Sequence, residues 1–232
     1  MKIPLVRAEK LWHLGSIDVA NAAMDSQEGN LLSVSACPEA WSSICRLGGR
    51  DVHETTKALL LVDLLALLFD EKWASNRRAI ESYGLSKGLL EWTSGYEVTW
   101  FDDEMESNMR MLFSDLESAE EEAEDWKNIA QVDLLVATPY LLELHRQRPR
   151  ELSEGIEFAA IEWVREVAGR SVAGVYWDER HDPLIYSSPR GGLFPHAYAS
   201  LVKVDSYPDD EVCLSMIQAT KSLDLDDGYG LG

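Results

Sequence analysis

The longest apolar run in the chain, Ala58–Val62 followed by Leu64–Phe69, is broken by Asp63. A membrane-crossing helix needs about 20 consecutive apolar residues, and this run is far shorter. The apolar residues must therefore be buried inside a folded body. The two sides of Asp63 also differ in period. Lys57–Asp63 has the length of a strand, whereas Leu64–Tyr83 repeats its apolar residues at helical spacing, with Gly84 as a natural C-cap.

That change of period recurs irregularly along the chain. Strands are expected around Leu11–Leu14, at Leu31–Ala36, in a hairpin of Tyr96–Phe101 and Met109–Phe113, and at Asp133–Ala137, Ser171–Trp177 and Leu201–Val204. Helices are expected near Asp18–Met24, at Pro38–Leu47 (proline at its first position, Gly48-Gly49 after its end), and at Leu116–Trp126. Further helices are expected at Pro139–Arg146, along the Ile156, Ala160, Trp163, Val167 face, and at Glu211–Leu223. His181–His196, with three prolines and Gly191-Gly192, reads as a loop. Strand and helix do not alternate as in a doubly wound sheet, so the expected fold is α+β. The expected organisation is one domain over residues 1–223, with an acidic tail at 224–232. No G-x-G-x-x-G or G-x-x-x-x-G-K-[ST] fingerprint occurs.

Charge narrows the classes of partner. The formal net charge is −20 over 232 residues. Nucleic-acid phosphates and anionic membranes are bound by Lys and Arg that replace counterions, so direct binding to either is not expected. A basic protein partner suits this surface. Cys37, Cys45 and Cys213 form no paired framework, which points to a reducing, cytoplasmic setting. The acidic run Glu117–Asp125 lacks the alternating oxygen ligands and glycine turn of a calcium loop, and no metal site is expected.

Two places carry candidate chemistry. Tyr176-Trp177-Asp178-Glu179-Arg180-His181-Asp182 follows a strand and gathers acid, base and stacking groups at a sheet end. Ser187-Ser188-Pro189-Arg190-Gly191-Gly192 follows it, and Arg190 suits bidentate anion binding. Near the N-terminus, Trp12-His13-Leu14-Gly15-Ser16 precedes Leu32-Ser33-Val34-Ser35, whose two serines share a sheet face. Neither serine lies in a G-x-S-x-G turn.

The order of His13 on a strand, a small helix, a glycine loop, Leu32-Ser33-Val34-Ser35 and Pro38-Glu39-Ala40-Trp41 resembles the N-terminal half of the ADP-ribosyltransferase superfamily, in the branch that begins with a strand histidine. Gly174–Glu179 through Val202-Lys203-Val204 looks like the late hairpin of bacterial and phage-encoded members. The resemblance covers the first third and last quarter of the chain, and relative to the family 64–150 is a helical and hairpin insertion. It implies a split β-sheet core with flanking helices and an activity that moves ADP-ribose from NAD to a protein or nucleic-acid acceptor. It also implies residue roles: His13 on an NAD ribose, Ser33 and Ser35 lining the nicotinamide pocket, Trp41 stacking on the nicotinamide, Arg190 on the pyrophosphate. Glu179 would be the catalytic carboxylate, with Asp178 second. The chain departs from the family where Leu14 separates His13 from Gly15-Ser16, and where the final strand lacks a glutamate. The alternative class is a non-catalytic acidic interaction protein, such as an inhibitor, antitoxin or immunity protein.

Overall fold

A computed structural model describes residues 1–17, 24–46, 50–102, 107–123, 128–148, 155–179, 188–219 and 223–224. The expected helix near 18–24, the Gly48-Gly49 stop, the turn at 103–104, most of the 147–151 linker, residues 180–187 and the tail beyond 224 lie mostly or wholly outside them. The chain divides into two compact units, Met1–Ile80 with Ala160–Gly232, and Glu81–Ala159.

The first unit begins with β1 (Lys2–Ile3), β2 (Leu5–Ala8), β3 (Trp12–Leu14) and β4 (Leu32–Ser35), then α1 (Pro38–Cys45), β5 (Val52–Thr55) and β6 (Leu59–Asp63). Asp63 does more than interrupt an apolar run. Its carboxylate accepts a hydrogen bond from Ala66 N at 2.9 Å and starts α2 (Leu64–Phe69). The single helix expected over Leu64–Tyr83 is instead two. Asp70 ends α2 in an extended conformation and accepts from Lys72 N, which opens a short 3-10 turn, Glu71–Trp73, before α3 (Ala74–Ser86). The apolar spacing runs on through this break, so periodicity alone does not reveal it.

The second unit holds β7 (Leu90–Asp102), β8 (Ser107–Phe113), α4 (Leu116–Ala123), β9 (Asn128–Ala137) and α5 (Pro139–Leu144). Its three strands pair antiparallel in the order β8-β7-β9. α4 covers one face, where Val98, Ala119 and Ala123 are buried with Tyr96, Trp100, Phe113 and Ile129 packed around them.

The chain continues through α6 (Ile156–Ala168), β10 (Gly174–Trp177), β11 (Arg190–Leu193), β12 (Leu201–Val204), α7 (Asp210–Leu214), β13 (Ile217–Ala219) and β14 (Leu223–Asp224). The helix expected at Glu211–Leu223 is thus a short helix followed by a strand that pairs with β2. Part of the expected loop His181–His196 is β11, inside the sheet.

The nine-stranded sheet of the first unit runs β12-β5-β3-β4-β11-β10-β6-β2-β13. β10 pairs parallel with β6, and the other ladders are antiparallel. Its core includes Val6, Leu11, Leu32, Val34, Leu61, Tyr176 and Leu193. The fold is mixed α+β. One junction stands apart: β3 and β4 share only the pair Trp12↔Ser35, whereas β4 and β11 share four. The sheet is therefore a block of three strands and a block of six, joined at a single residue pair.

Candidate functional site

The candidate site is built on one row of that sheet. Trp177 on β10 lies opposite Arg190 on β11, Arg190 opposite Ser35 on β4, and Ser35 opposite Trp12 on β3. Residues directly opposite one another share a face, so segments far apart in sequence meet here. Gly191 and Gly192 make the row feasible. A Cβ on Gly191 would lie 3.0 Å from the Val175 carbonyl oxygen, and one on Gly192 would lie 2.5 Å from Leu31 Cδ1. The glycines read as loop signals in sequence, but they act here as close-packing residues within a strand.

Arg190 is the centre of the arrangement. Its side chain is 6% exposed. Nε lies 3.0 Å from Glu28 Oε1, and Nη1 pairs with Glu179 Oε2. The Nε contact lacks hydrogen-bond alignment, so charge attraction holds it. The guanidinium also lies 5.2 Å from the Trp177 ring centroid, a cation–π distance. Glu28 is buried, and loss of water pushes its carboxyl above the usual carboxylate range. The Ser26 hydroxyl, donating at 2.7 Å, and the Arg190 charge act against that rise. Glu179 differs in being 30% exposed, so its carboxylate reaches solvent while a buried cation orients it.

The expectation that Arg190 binds a pyrophosphate meets this geometry directly: its charge is already engaged by two carboxylates. The guanidinium therefore lies between two carboxyl groups beside an indole. Such a place suits a cationic group and repels a phosphate.

α1 borders the same cluster. Its N-terminal N–H groups at Glu39 and Ala40 donate to the Asp210 carboxylate of α7 at 3.0 and 2.9 Å, which fixes the helix where Cys37 supplies no side-chain cap. Partial burial, then the Glu28 charge, push the Cys45 thiol up to about 11, with Arg190 opposing. Trp41 precedes Cys45 by one turn and so shares its side of α1. Trp41 is half-buried.

Ser35 is buried and its hydroxyl is fully used. It donates to the Pro189 carbonyl at 2.9 Å and accepts from Cys37 N at 2.9 Å, tying the start of α1 to the residue before Arg190. It thus positions the residue before Arg190, whereas the resemblance implies that it lines the nicotinamide pocket. Ser33 Oγ is buried without a hydrogen-bond partner among the described residues. Asp178 is exposed. It contributes to the raised carboxyl of Asp63, after burial as the larger cause.

His13 sits at the junction of the two blocks. Its Nδ1 lies 2.7 Å from the Ser33 carbonyl and its Nε2 2.9 Å from the Ser16 carbonyl. With one ladder pair between β3 and β4, the Ser33 carbonyl has an imidazole as partner where the strands diverge. Both ring nitrogens are occupied by main chain and the residue is buried, so a ribose hydroxyl would have to displace one of these contacts. The His53 ring, 5.9 Å away, has its pKa lowered by burial first and then by His13. Beside it Gly15, Ser16, Ile17, Arg50 and Asp51 frame an open cavity of about 410 Å³. Arg50 is exposed there and makes no ion pair among the described residues.

Sequence reading misses Glu28 and His53. Glu28 lies in a polar loop among other acidic and amide residues, and no local signal marks it as the carboxylate that goes inside. Among the described residues, no group of three or more His, Cys, Asp or Glu is placed to hold a metal ion, and no helix is long and apolar enough to cross a membrane. Comparison of the chain with protein-family models, with curated proteins and with solved structures finds no match.

Proposed function

We propose that the first unit is an ADP-ribosyltransferase-like domain that binds NAD with its nicotinamide end at Glu179 and Trp177. The supporting observation is the Glu179 carboxylate, partly exposed and paired with the buried Arg190 guanidinium beside an indole. The nicotinamide of NAD is a cationic ring, and the ribose carbon it leaves becomes more positive as the glycosidic bond breaks. An exposed carboxylate held in place by a buried guanidinium stabilises that charge most in the transition state. The bond from ribose C1′ to nicotinamide nitrogen breaks, its electron pair leaving with the nicotinamide. An acceptor nucleophile then bonds to C1′ and gives up its proton. Trp41, on the α1 side that borders the cluster, provides a second stacking face. The anionic middle of NAD does not fit Arg190. The cavity with Arg50 supplies a positive charge across the junction of the two sheet blocks. β3 and β10 are three strand spacings apart, about 14 Å, a span suited to an extended dinucleotide.

The test is NAD titration by calorimetry together with nicotinamide release. Glu179→Gln should leave NAD affinity near that of the wild type and lower release by about a hundredfold. Wild-type protein that neither binds NAD nor releases nicotinamide overturns the reading.

A second reading has its own observation. The unit Glu81–Ala159 carries 19 Asp and Glu against 6 Lys and Arg, and it exposes Trp92 and Phe101. An acidic interaction protein with a basic partner would use this unit. That reading is favoured if the wild type gives no NAD response.

A further inference from the structure

The first unit contains a second cavity, at the opposite ends of the strands that lead to Glu179. It measures about 430 Å³ and is framed by the turn before β6, the 3-10 turn Gly169–Ser171, the start of β10 and the 3-10 turn Pro195–Ser200. β6 and β10 are parallel, and the cavity lies at their N-terminal ends. Glu179 follows the C-terminal end of β10, which puts the length of a four-residue strand, about 13 Å, between the two places.

Its lining is unusual for this chain. Lys57, Arg170 and His196 face it with Thr56 and Ser171, and no carboxylate is among the lining residues. Several other cations are matched: Arg7 pairs with Glu9, Lys10 with Glu54, Lys203 with Asp51. Lys57 and Arg170 make no ion pair among the described residues. In a protein of net charge −20, two unmatched cations on one cavity create a local positive field that an anion would satisfy. The frame is tied together by main-chain bonds. Thr56 N donates to Ser200 O at 2.7 Å, Ala173 N to Leu60 O at 2.7 Å, and Phe194 N to Ala173 O at 2.8 Å. His196 is anchored through Nε2, 2.9 Å from the Val172 carbonyl. The floor is apolar, made by Leu59, Val172 and Ala197 among others.

We infer that this cavity binds a small organic phosphate. Lys57 and Arg170 would hold the phosphate, and the apolar floor would take the organic part. The volume falls in the range of small-molecule sites and exceeds what a bare phosphate fills. Arg170 supplies planar paired donors, and Lys57 supplies a point charge.

The experiment is calorimetric titration of the full chain with AMP, and separately with inorganic phosphate, at low salt. The wild type should bind AMP, and more tightly than phosphate. Lys57→Gln combined with Arg170→Gln should weaken AMP binding at least about tenfold. Both side chains are exposed, so the thermal melting of the double variant should match the wild type. Glu179→Gln should bind AMP as the wild type does, which separates this cavity from the proposed nicotinamide end. No AMP binding up to about 10 mM, or unchanged AMP affinity in the double variant, overturns the inference. Equal affinity for AMP and phosphate overturns its organic part.

Discussion

Replacing Arg190 by methionine should destabilise the first unit in a way that depends on pH. The substitution removes the cation that Glu28 faces and leaves that carboxylate buried. The folded protein can avoid an unpaired buried charge only by protonating Glu28. Its ordinary value is 4.5, so holding the proton at pH 7 costs about 3.4 kcal/mol at 1.36 kcal/mol per pH unit. Loss of the Trp177 cation–π contact adds on the order of 1 kcal/mol, and packing of the methionine against that ring offsets part of it. The expected loss is therefore about 4 kcal/mol at pH 7, near the usual cost of breaking a buried pair. The sign of the pH dependence follows from the raised carboxyl. The folded state holds the proton more tightly than the unfolded chain, so stability is full below 4.5 and falls as pH rises above it. At pH 5 the protonation cost drops to about 0.7 kcal/mol, and most of the defect should vanish. Glu28→Gln in the Arg190→Met background should restore stability at pH 7, because the amide can be buried uncharged beside Ser26. Denaturant unfolding at pH 5, 6 and 7, followed by tryptophan fluorescence, measures all three proteins. A defect of equal size at every pH, or a double variant no more stable than Arg190→Met, would refute the reasoning.

Cys37 and Cys213 are buried, and burial pushes their thiols up to about 12 and about 11, so with no access to reagent neither should react with a thiol reagent at pH 8 in the native protein. Cys45 is exposed, and its accessible sulfur should be the single reacting group, slowed because its thiol is held near 11; titration of native protein and of Cys45→Ser checks this. Gly174→Ala would place its Cβ against the Gly192 carbonyl oxygen of the neighbouring strand. Backbone on both sides leaves nothing to yield, so a loss of about 2 kcal/mol or more is expected in thermal or denaturant unfolding.

Where local chemistry decides an element, the sequence displays it. Pro38 marks the start of α1, the alternation of Leu32-Ser33-Val34-Ser35 marks β4, and Leu201–Val204 is β12 with the bounds its pattern suggests. Elements that exist only through their neighbours are hidden. Val52–Thr55 contains His, Glu and Thr and lacks a clean alternation, yet it is held between β3 and β12. Leu5–Ala8 is too short to stand out and is placed by pairing with β6 and β13. The β11 segment carries two glycines, which favour loops when considered alone. Its position between β4 and β10 requires them, because a side chain there would meet Val175 or Leu31.

The site was legible in the same uneven way. Sequence order points to His13, the two serines, Glu179 and Arg190, and the sheet sets them on β3, β4, β11 and the end of β10, which are neighbours. It cannot show which side chains consume one another. A guanidinium on a central strand must be matched by carboxylates once water is excluded, and Glu28 reaches it from a loop whose composition gives no hint of burial. That pairing changes what the place can do. An Arg190 with free donors would draw anions, whereas Arg190 clasped by Glu28 and Glu179 serves to aim a carboxylate. Among the described residues, cations left unmatched include Arg50 beside His53 and the Lys57–Arg170 pair at the other end of the strands, and these can receive anions. In a molecule this acidic, cations unpaired among the described residues mark surfaces that can accept negative charge.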